Sequence, residues 1–434
     1  MSPFTSPSLW RWLLLVLALV GCASPAADAP PVPPTAEPIT LRFIGVPNGI
    51  GYELDSELLA GFTAETGIQV EFVPGPESTT ERIAQYEELL QSQSPTVDVY
   101  QIDVIWPGLL AEHMVDLAPH FEAEIPQYFP TIIENNTVDG RLIGIPFFTD
   151  AGLLYYRTDL LDKYGYDAPP ATWDELERMA SVIQIGEREE GNVDFWGYVW
   201  QGAAYEGLTC NALEWQASSG GGVIVEADGR VNVNNPAMLA ALEQAAGWVG
   251  TISPLGVTGF QEEDARSVWQ AGNAAFMRNW PYAYAFGQES NSIIKDQFAI
   301  TVLPSGGERH ADTLGGWQLA VSKYSAYPEE AIALVRYMTS PEVQAQRAIR
   351  GSYVPTIPAL YSDAAVLAAN PFFADLQDVF VDGAVARPST VTSALYNDVS
   401  RAYFAAIHQA LTGDQTAAQA LADLEIELQT ILNQ

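Results

Sequence analysis

Basic residues are scarce in this 434-residue chain: 19 Lys and Arg stand against 54 Asp and Glu, for a formal net charge of −35. That balance excludes a nucleic-acid footprint, which needs clustered cations to neutralise phosphates. Cysteine is scarcer still, with 2 in the whole chain, so neither a disulfide scaffold nor a four-thiolate zinc site can be built. His113, His120, His310 and His408 are scattered singly. No H-E-x-x-H, no C-x-x-C and no glycine-rich phosphate loop ending in Gly-Lys-Ser/Thr occurs. The usual metal and nucleophile constellations are therefore missing, and no metal or cofactor is expected. Paired carboxylates for glycoside hydrolysis stay open, because a sequence this rich in acids does not reveal which of them approach one another.

Long apolar runs are confined to one place. Leu9 to Cys22 is apolar except for Arg11 and ends at small residues, which reads as a secretory signal core, too short for a spanning helix. Leu19-Val20-Gly21-Cys22 resembles the bacterial lipobox, implying a signal peptide over 1–21 and a lipid on Cys22; plain secretion or an uncleaved anchor helix are the alternatives. Residues 22–38 then form a lipidated, proline-rich, semi-rigid tether. Cys210 is left without a partner and reads as a small buried hydrophobe.

What the chain does have is apolar bulk, 48% hydrophobic and 11% aromatic residues, too much for a disordered acidic chain. Its length suggests two or three domains. Leu41–Val46, Ile68–Val73 and Val97–Val104 alternate as strands, separated by helical spacing over Asp55–Thr66 and from a capping box at Ser78 and Glu81 through Leu90. That alternation predicts α/β layers on a largely parallel sheet. Thr172 with Glu175 caps a helix through about Ile185, Val231–Asn234 alternates, and Asn235-Pro236 opens the helix Ala237–Val249. Pro328–Thr339, Pro341–Ile349 and Ser400–Leu411 are the clearest helices of the last hundred residues.

Aromatic residues interleave with polar ones and glycine at Phe195–Gln201, Arg278–Tyr284 and Gly315–Gln318. A neutral sugar needs flat apolar surfaces for its C–H faces and forked donors or acceptors for adjacent hydroxyls, which Trp and Tyr, and Asp, Glu and Arg, respectively supply. The same residues also make ordinary core.

Longer stretches carry a likeness. Asp150–Arg157, Asp159–Tyr166, Trp173–Leu176, Gly197–Gln201, Tyr205–Leu208, Arg278–Ala283, Thr313–Trp317 and Val321–Ser325 closely resemble family 1 extracellular solute-binding proteins of ABC importers, and within them the trehalose/maltose-binding proteins. The resemblance runs from about Ile39 to the C-terminus. It implies a two-lobed, type II periplasmic-binding-protein-like α/β fold with discontinuous lobes and a hinge: one lobe over 39–147 plus 317–370, the other over 148–316 plus 371–434. Hinges are expected near Phe147–Ala151 and Gly315–Leu319, with a third crossing near Asn370.

The resemblance also implies a ligand site. Arg82 and Asp103 would bond sugar hydroxyls from the first lobe and Asp150 from the hinge, Trp280, Tyr282 and Trp317 would stack, Gly316 would offer a backbone donor, and Arg387 would reach in from the second lobe. Against these stand plainer roles: a solvated helix arginine for Arg82, strand-end carboxylates bonding loop amides for Asp103 and Asp150, core packing for the tryptophans, and an interlobe ion pair for Arg387. The chain departs from the family at Pro47–Tyr52, which lacks the acidic residues expected of the first loop, and at Phe148, where a tyrosine is usual. Each lost partner would cost about 1–3 kcal/mol, so the ligand is an α-glucoside other than trehalose or maltose, or water or Glu53 fills the gap.

The function implied is a non-catalytic, lipid-anchored, monomeric receptor on the extracytoplasmic face. It would capture an α-glucoside such as trehalose or maltose by hinge closure and deliver it to ABC permease subunits. The competing readings are a surface-anchored carbohydrate-active enzyme, or the same fold binding another solute such as glucosylglycerate or a glycerol-phosphate ester.

Overall fold

Alternation along the first strands decides which side chain faces which layer. In Thr40–Gly45, Leu41 and Phe43 turn to one side and join Leu58, Phe62, Val335 and Met338, whereas Ile44 turns to the other and meets Ile83, Tyr86 and Leu90. Val99, Leu319 and Val321 follow Phe43; Tyr100, Ile102 and Ala320 follow Ile44. Apolar residues on both faces of a period-two strand mark a sheet covered by helices on each side. The helices Gly49–Thr66 and Thr79–Gln91 connect these first strands. The computed structural model describes residues 38–46, 49–378 and 383–433. The expected signal peptide 1–21, the lipidated Cys22, the tether through residue 37 and Pro47-Asn48 of the first loop lie outside the described residues.

Thr40–Gly45 pairs in parallel with both Gln69–Pro74 and Val99–Asp103, the expected parallel set. The six-stranded sheet as a whole is mixed, because Asp312–Val321 runs antiparallel to Val99–Asp103 and to Ile145–Ala151. That long strand enters from the other lobe and so meets the sheet from the opposite end, a direction that local alternation does not encode.

The second lobe carries a four-stranded sheet of Phe298–Thr301, Leu153–Arg157, Ala274–Asn279 and Trp196–Val199, in that order. Leu154, Tyr198 and Phe276 face a core of Trp173, Trp200, Trp215 and Trp248, closed by the C-terminal helices Tyr396–Thr412 and Ala417–Leu432. Trp200 and Trp215 pack edge to face at 5.1 Å, and Trp215 and Trp248 at 5.8 Å. Phe195, Tyr198 and Trp200 are therefore core, and the aromatic run Phe195–Gln201 supplies packing there.

Local signals fared unevenly. Thr172 Oγ1 accepts from the Glu175 amide at 3.2 Å, while the Glu175 carboxylate takes the Ala171 amide at 2.9 Å. Asn235 Oδ1 accepts from Met238 N at 3.0 Å with Pro236 in the first turn. Ser78 stands at its N-cap position but its side chain makes no capping bond. Val231–Asn234 forms no strand, only an isolated bridge from Val231 to Val225.

Two strands carry the chain between the lobes. Ile145–Ala151 leads through Gly152 into Leu153–Arg157, and Asp312–Val321 returns. The two pair with each other from Leu314 opposite Ala151 to Leu319 opposite Ile145, with a register shift between Trp317 and Gln318. Gly316 sits there at φ +128°, where a Cβ would lie 2.7 Å from the Phe148 carbonyl oxygen, so backbone conformation and close approach both demand glycine. Past Asn370, whose side chain donates to Ala348 O at 2.7 Å, Ala384–Val385 joins Asp312–Thr313 in parallel.

Candidate functional site

Half-buried indoles in an otherwise packed hinge are the first sign of a site. Trp317, on the returning strand, presents one face to the Arg82 guanidinium at 4.7 Å and meets Trp106 edge-on at 5.5 Å. Trp280 follows the strand Ala274–Asn279 and rests on the Arg278 guanidinium at 4.0 Å. Its Nε1 donates to Glu262 at 3.2 Å, and its carbonyl accepts from Tyr155 Oη at 2.7 Å. Arg278 itself is fully buried and paired with Glu214. Tyr282 is held by a 2.7 Å bond from its hydroxyl to Glu263. Trp280, Tyr282 and Trp317 line a cavity of about 420 Å³, in the usual range for small-molecule sites, roughly 300–1,000 Å³.

The same cavity gathers the charged residues singled out from the sequence: Arg82, Asp103, Asp150 and Arg387, with Gly316 beside Trp317. Arg82 is 1% exposed, which removes the solvated alternative. Its Nε and Nη2 donate to Pro76 O at 2.8 and 2.6 Å, and Nη1 is buried with no hydrogen-bond partner among the described residues. Burial holds this guanidinium below the usual arginine range, against the pull of Tyr86 and Asp103. Asp103 Oδ1 accepts from Ile105 N at 3.2 Å and from Arg387 Nη2 at 2.9 Å. Arg387 Nη1 donates to Glu206 at 2.8 Å, so the ion pair weighed for Arg387 exists and links two carboxylates. Its Nε nonetheless has no partner among the described residues.

Asp150 differs from Asp103. Its Oδ1 is buried without a hydrogen-bond partner among the described residues. Burial, reinforced by Asp103 and opposed by Arg278, pushes its carboxyl well above the usual range. The Gly316 carbonyl accepts from Val104 N at 3.1 Å.

The end of the cavity nearest the first helix contains what the sequence departures left unexplained. Glu53 points to solvent and is not part of the lining, which corrects the idea that it fills the gap. Asp55, 4% exposed, lines the cavity instead and pairs with Arg347 from the helix Pro341–Gly351. Burial lowers Arg347 to about 10, with Tyr353 opposing. Tyr353 lies edge-on to Phe148 at 4.8 Å, and a side chain at Gly51 would collide with its hydroxyl. A carboxylate and a phenol are thus present, from positions other than those expected.

Glu206, Glu262, Asp55, Arg347 and Tyr353 escaped sequence reasoning. Glu206 sits at the start of the helix Glu206–Ser218, inside the Tyr205–Leu208 run already noted, and Glu262 opens the acidic turn of Glu262–Gln270; both were legible as acids at helix starts, which is usually a dipole effect alone. Among the described residues no group of His, Cys, Asp and Glu is arranged to hold a metal ion, and no helix is long and apolar enough to cross a membrane.

Comparison with known proteins gives the family and the fold. The model of the bacterial extracellular solute-binding protein family matches residues 47–345. A probable ABC transporter-binding protein of Deinococcus radiodurans is 50% identical over 398 residues, 91% of this chain and 94% of that one. Maltose-bound MalE3 of T. maritima superposes with a TM-score of 0.86 at 38% identity, over 90% of this chain and 99% of that one. A Thermotoga lettingae solute-binding protein bound to α-D-tagatose shares the fold, with a TM-score of 0.80 at 24% identity over 91% and 100% of the two chains.

Proposed function

The chain belongs to the bacterial extracellular solute-binding protein family, and from that premise we propose that it is the lipid-anchored sugar receptor of an ABC importer, taking an α-glucoside such as maltose or trehalose. One observation carries the reading. Buried polar atoms of Arg82, Asp150 and Arg387 lack partners among the described residues, and these residues line the same cavity as the half-buried rings of Trp280 and Trp317. An unpaired buried donor or acceptor costs about 1–3 kcal/mol, and a polyhydroxylated ring lying between indoles supplies partners of both kinds.

The sign of the lining favours a neutral solute. Arg82, Arg347 and Arg387 are outnumbered by Asp55, Asp103, Asp150, Glu206, Glu262 and Glu263 around the same space, which counts against glucosylglycerate or a glycerol-phosphate ester. Hinge closure on the sugar would bring together lobes assigned as 39–147 plus 317–370 and 148–316 plus 371–434, and the closed form would be what the permease subunits recognise. The anchor would be the lipid on Cys22; replacing Cys22 by serine should release the protein from the membrane fraction.

Calorimetry against a panel of α-linked disaccharides tests the reading. Heat with at least one of them, with compaction by small-angle scattering, is expected; no heat with any sugar would overturn it. The carbohydrate-active enzyme reading is tested in the same samples, where release of reducing sugar over hours is expected to be zero.

A further inference from the structure

Arg347 is the most conspicuous cation that the sequence did not flag. It is 2% exposed, and its guanidinium lies 3.9 Å from the Phe147 ring centroid and 4.2 Å from that of Tyr353. Rings on more than one side fix the plane of the fork, and Asp55 lies within ion-pair reach of it. Nε and Nη1, and Oδ1 of Asp55, are buried with no hydrogen-bond partner among the described residues, and both residues border the cavity. A structural ion pair has no need of that opening: an unmet N–H on a buried guanidinium is costly unless something enters to accept it.

Gly51 shows the second half of the arrangement. Any side chain there would occupy the place of the Tyr353 hydroxyl, so the first helix turn leaves this end of the cavity to a phenol and to the Asp55–Arg347 pair. Donor, acceptor and hydroxyl sit together against the Phe147 and Phe148 rings and border the same cavity as the Trp280 indole that rests on Arg278. A cavity of about 420 Å³ takes a ligand larger than one stacked ring.

Resting on the sugar-receptor reading above, we infer that Arg347, Asp55 and Tyr353 form a separate subsite that recognises adjacent hydroxyls on the second ring of an α-linked disaccharide. The tryptophans hold the first ring; this cluster decides which second ring is accepted. Adjacent hydroxyls suit it because one can accept from the arginine fork while its neighbour donates to the carboxylate.

The test uses the full chain with maltose, trehalose and methyl α-glucoside as probes, in calorimetry and thermal melts, for wild type, Tyr353→Phe and Arg347→Lys. Both variants should weaken the bound disaccharide about tenfold, the equivalent of one charge-assisted hydrogen bond, and leave methyl α-glucoside within about twofold. Tyr353→Phe keeps the ring packing, so its melt without sugar should match wild type and the result stands even where Arg347→Lys does not fold. Equal losses for one-ring and two-ring probes, or none in Tyr353→Phe, would overturn the subsite and leave the receptor reading intact. A wild-type chain that binds none of these probes and no sugar of the wider disaccharide panel would remove both.

Discussion

The Arg278 guanidinium lies 4.0 Å from the Trp280 ring, so the indole that borders the cavity is supported from below by a cation that is itself fully buried against Glu214. Support and contact are thereby divided between neighbouring residues, and the division is measurable. Trp280→Ala should weaken sugar binding at least about tenfold, as expected for loss of a stacking surface, with little change in the melting temperature of the sugar-free protein. Arg278→Ala should instead cost about 3–5 kcal/mol of stability, because Glu214 is left as an uncompensated buried charge. Calorimetry and denaturant melts on the two variants separate the effects; a Trp280→Ala protein as unstable as Arg278→Ala would make Trp280 core.

Asp150 should make binding pH-dependent. Its carboxyl is pushed well above the usual range by burial, so the sugar-free form holds a proton at pH values where an ordinary aspartate does not. Sugar hydroxyls donating to Asp150 would favour the carboxylate, so binding should release a proton and affinity should rise with pH until the raised value is passed. Titrations in buffers of different ionisation enthalpy should register that release, and Asp150→Asn should flatten the dependence.

Asp312, at the head of the returning strand, offers a stability counterpart away from the ligand. It is fully buried, Oδ1 accepts from Leu303 N at 2.9 Å and Oδ2 has no partner among the described residues. Burial, despite that backbone bond, pushes it from 3.8 up to about 8. The folded state therefore prefers the neutral acid: its contribution is present in full below the unfolded value and is lost as pH rises through about 8. Asp312→Asn should melt like wild type near pH 4 and gain roughly 2–5 kcal/mol on it by pH 8. A gap that does not change with pH would contradict the assignment.

Gly316→Ala tests the hinge. A Cβ at that φ of +128° would press on Phe148 O, and the change should cost about 1–3 kcal/mol while reducing affinity through Trp317 next door. Gly413→Ala, also at positive φ but with open space around it, provides the comparison: strain alone, with binding unchanged.

Motifs that are contiguous in the chain were legible because their meaning is local or their wording is specific. Thr172 with Glu175, Asn235-Pro236 and the strand alternation of Leu41–Val46 declare themselves within a few residues. Arg82, Asp103, Asp150, Trp280, Tyr282, Gly316, Trp317 and Arg387 follow from the family resemblance of contiguous motifs, and the fold brings all of them to one cavity. Asp55, Arg347 and Tyr353 were not legible. The helices that carry Asp55 and Arg347 are legible, but the relationship of these residues exists only where two helices distant in sequence meet. The antiparallel entry of Asp312–Val321 was hidden for the same reason: a strand's direction in a sheet is a property of the route by which the chain returns.

That route has a mechanical consequence. The segments that pass between the lobes lie zipped together from Leu314 opposite Ala151 to Leu319 opposite Ile145, and a laced pair of ribbons bends far more readily than it shears or splays. The closure proposed above would then reduce to one coordinate. A fluorophore pair with one dye on each lobe should give two discrete transfer efficiencies, whose relative populations shift with added sugar.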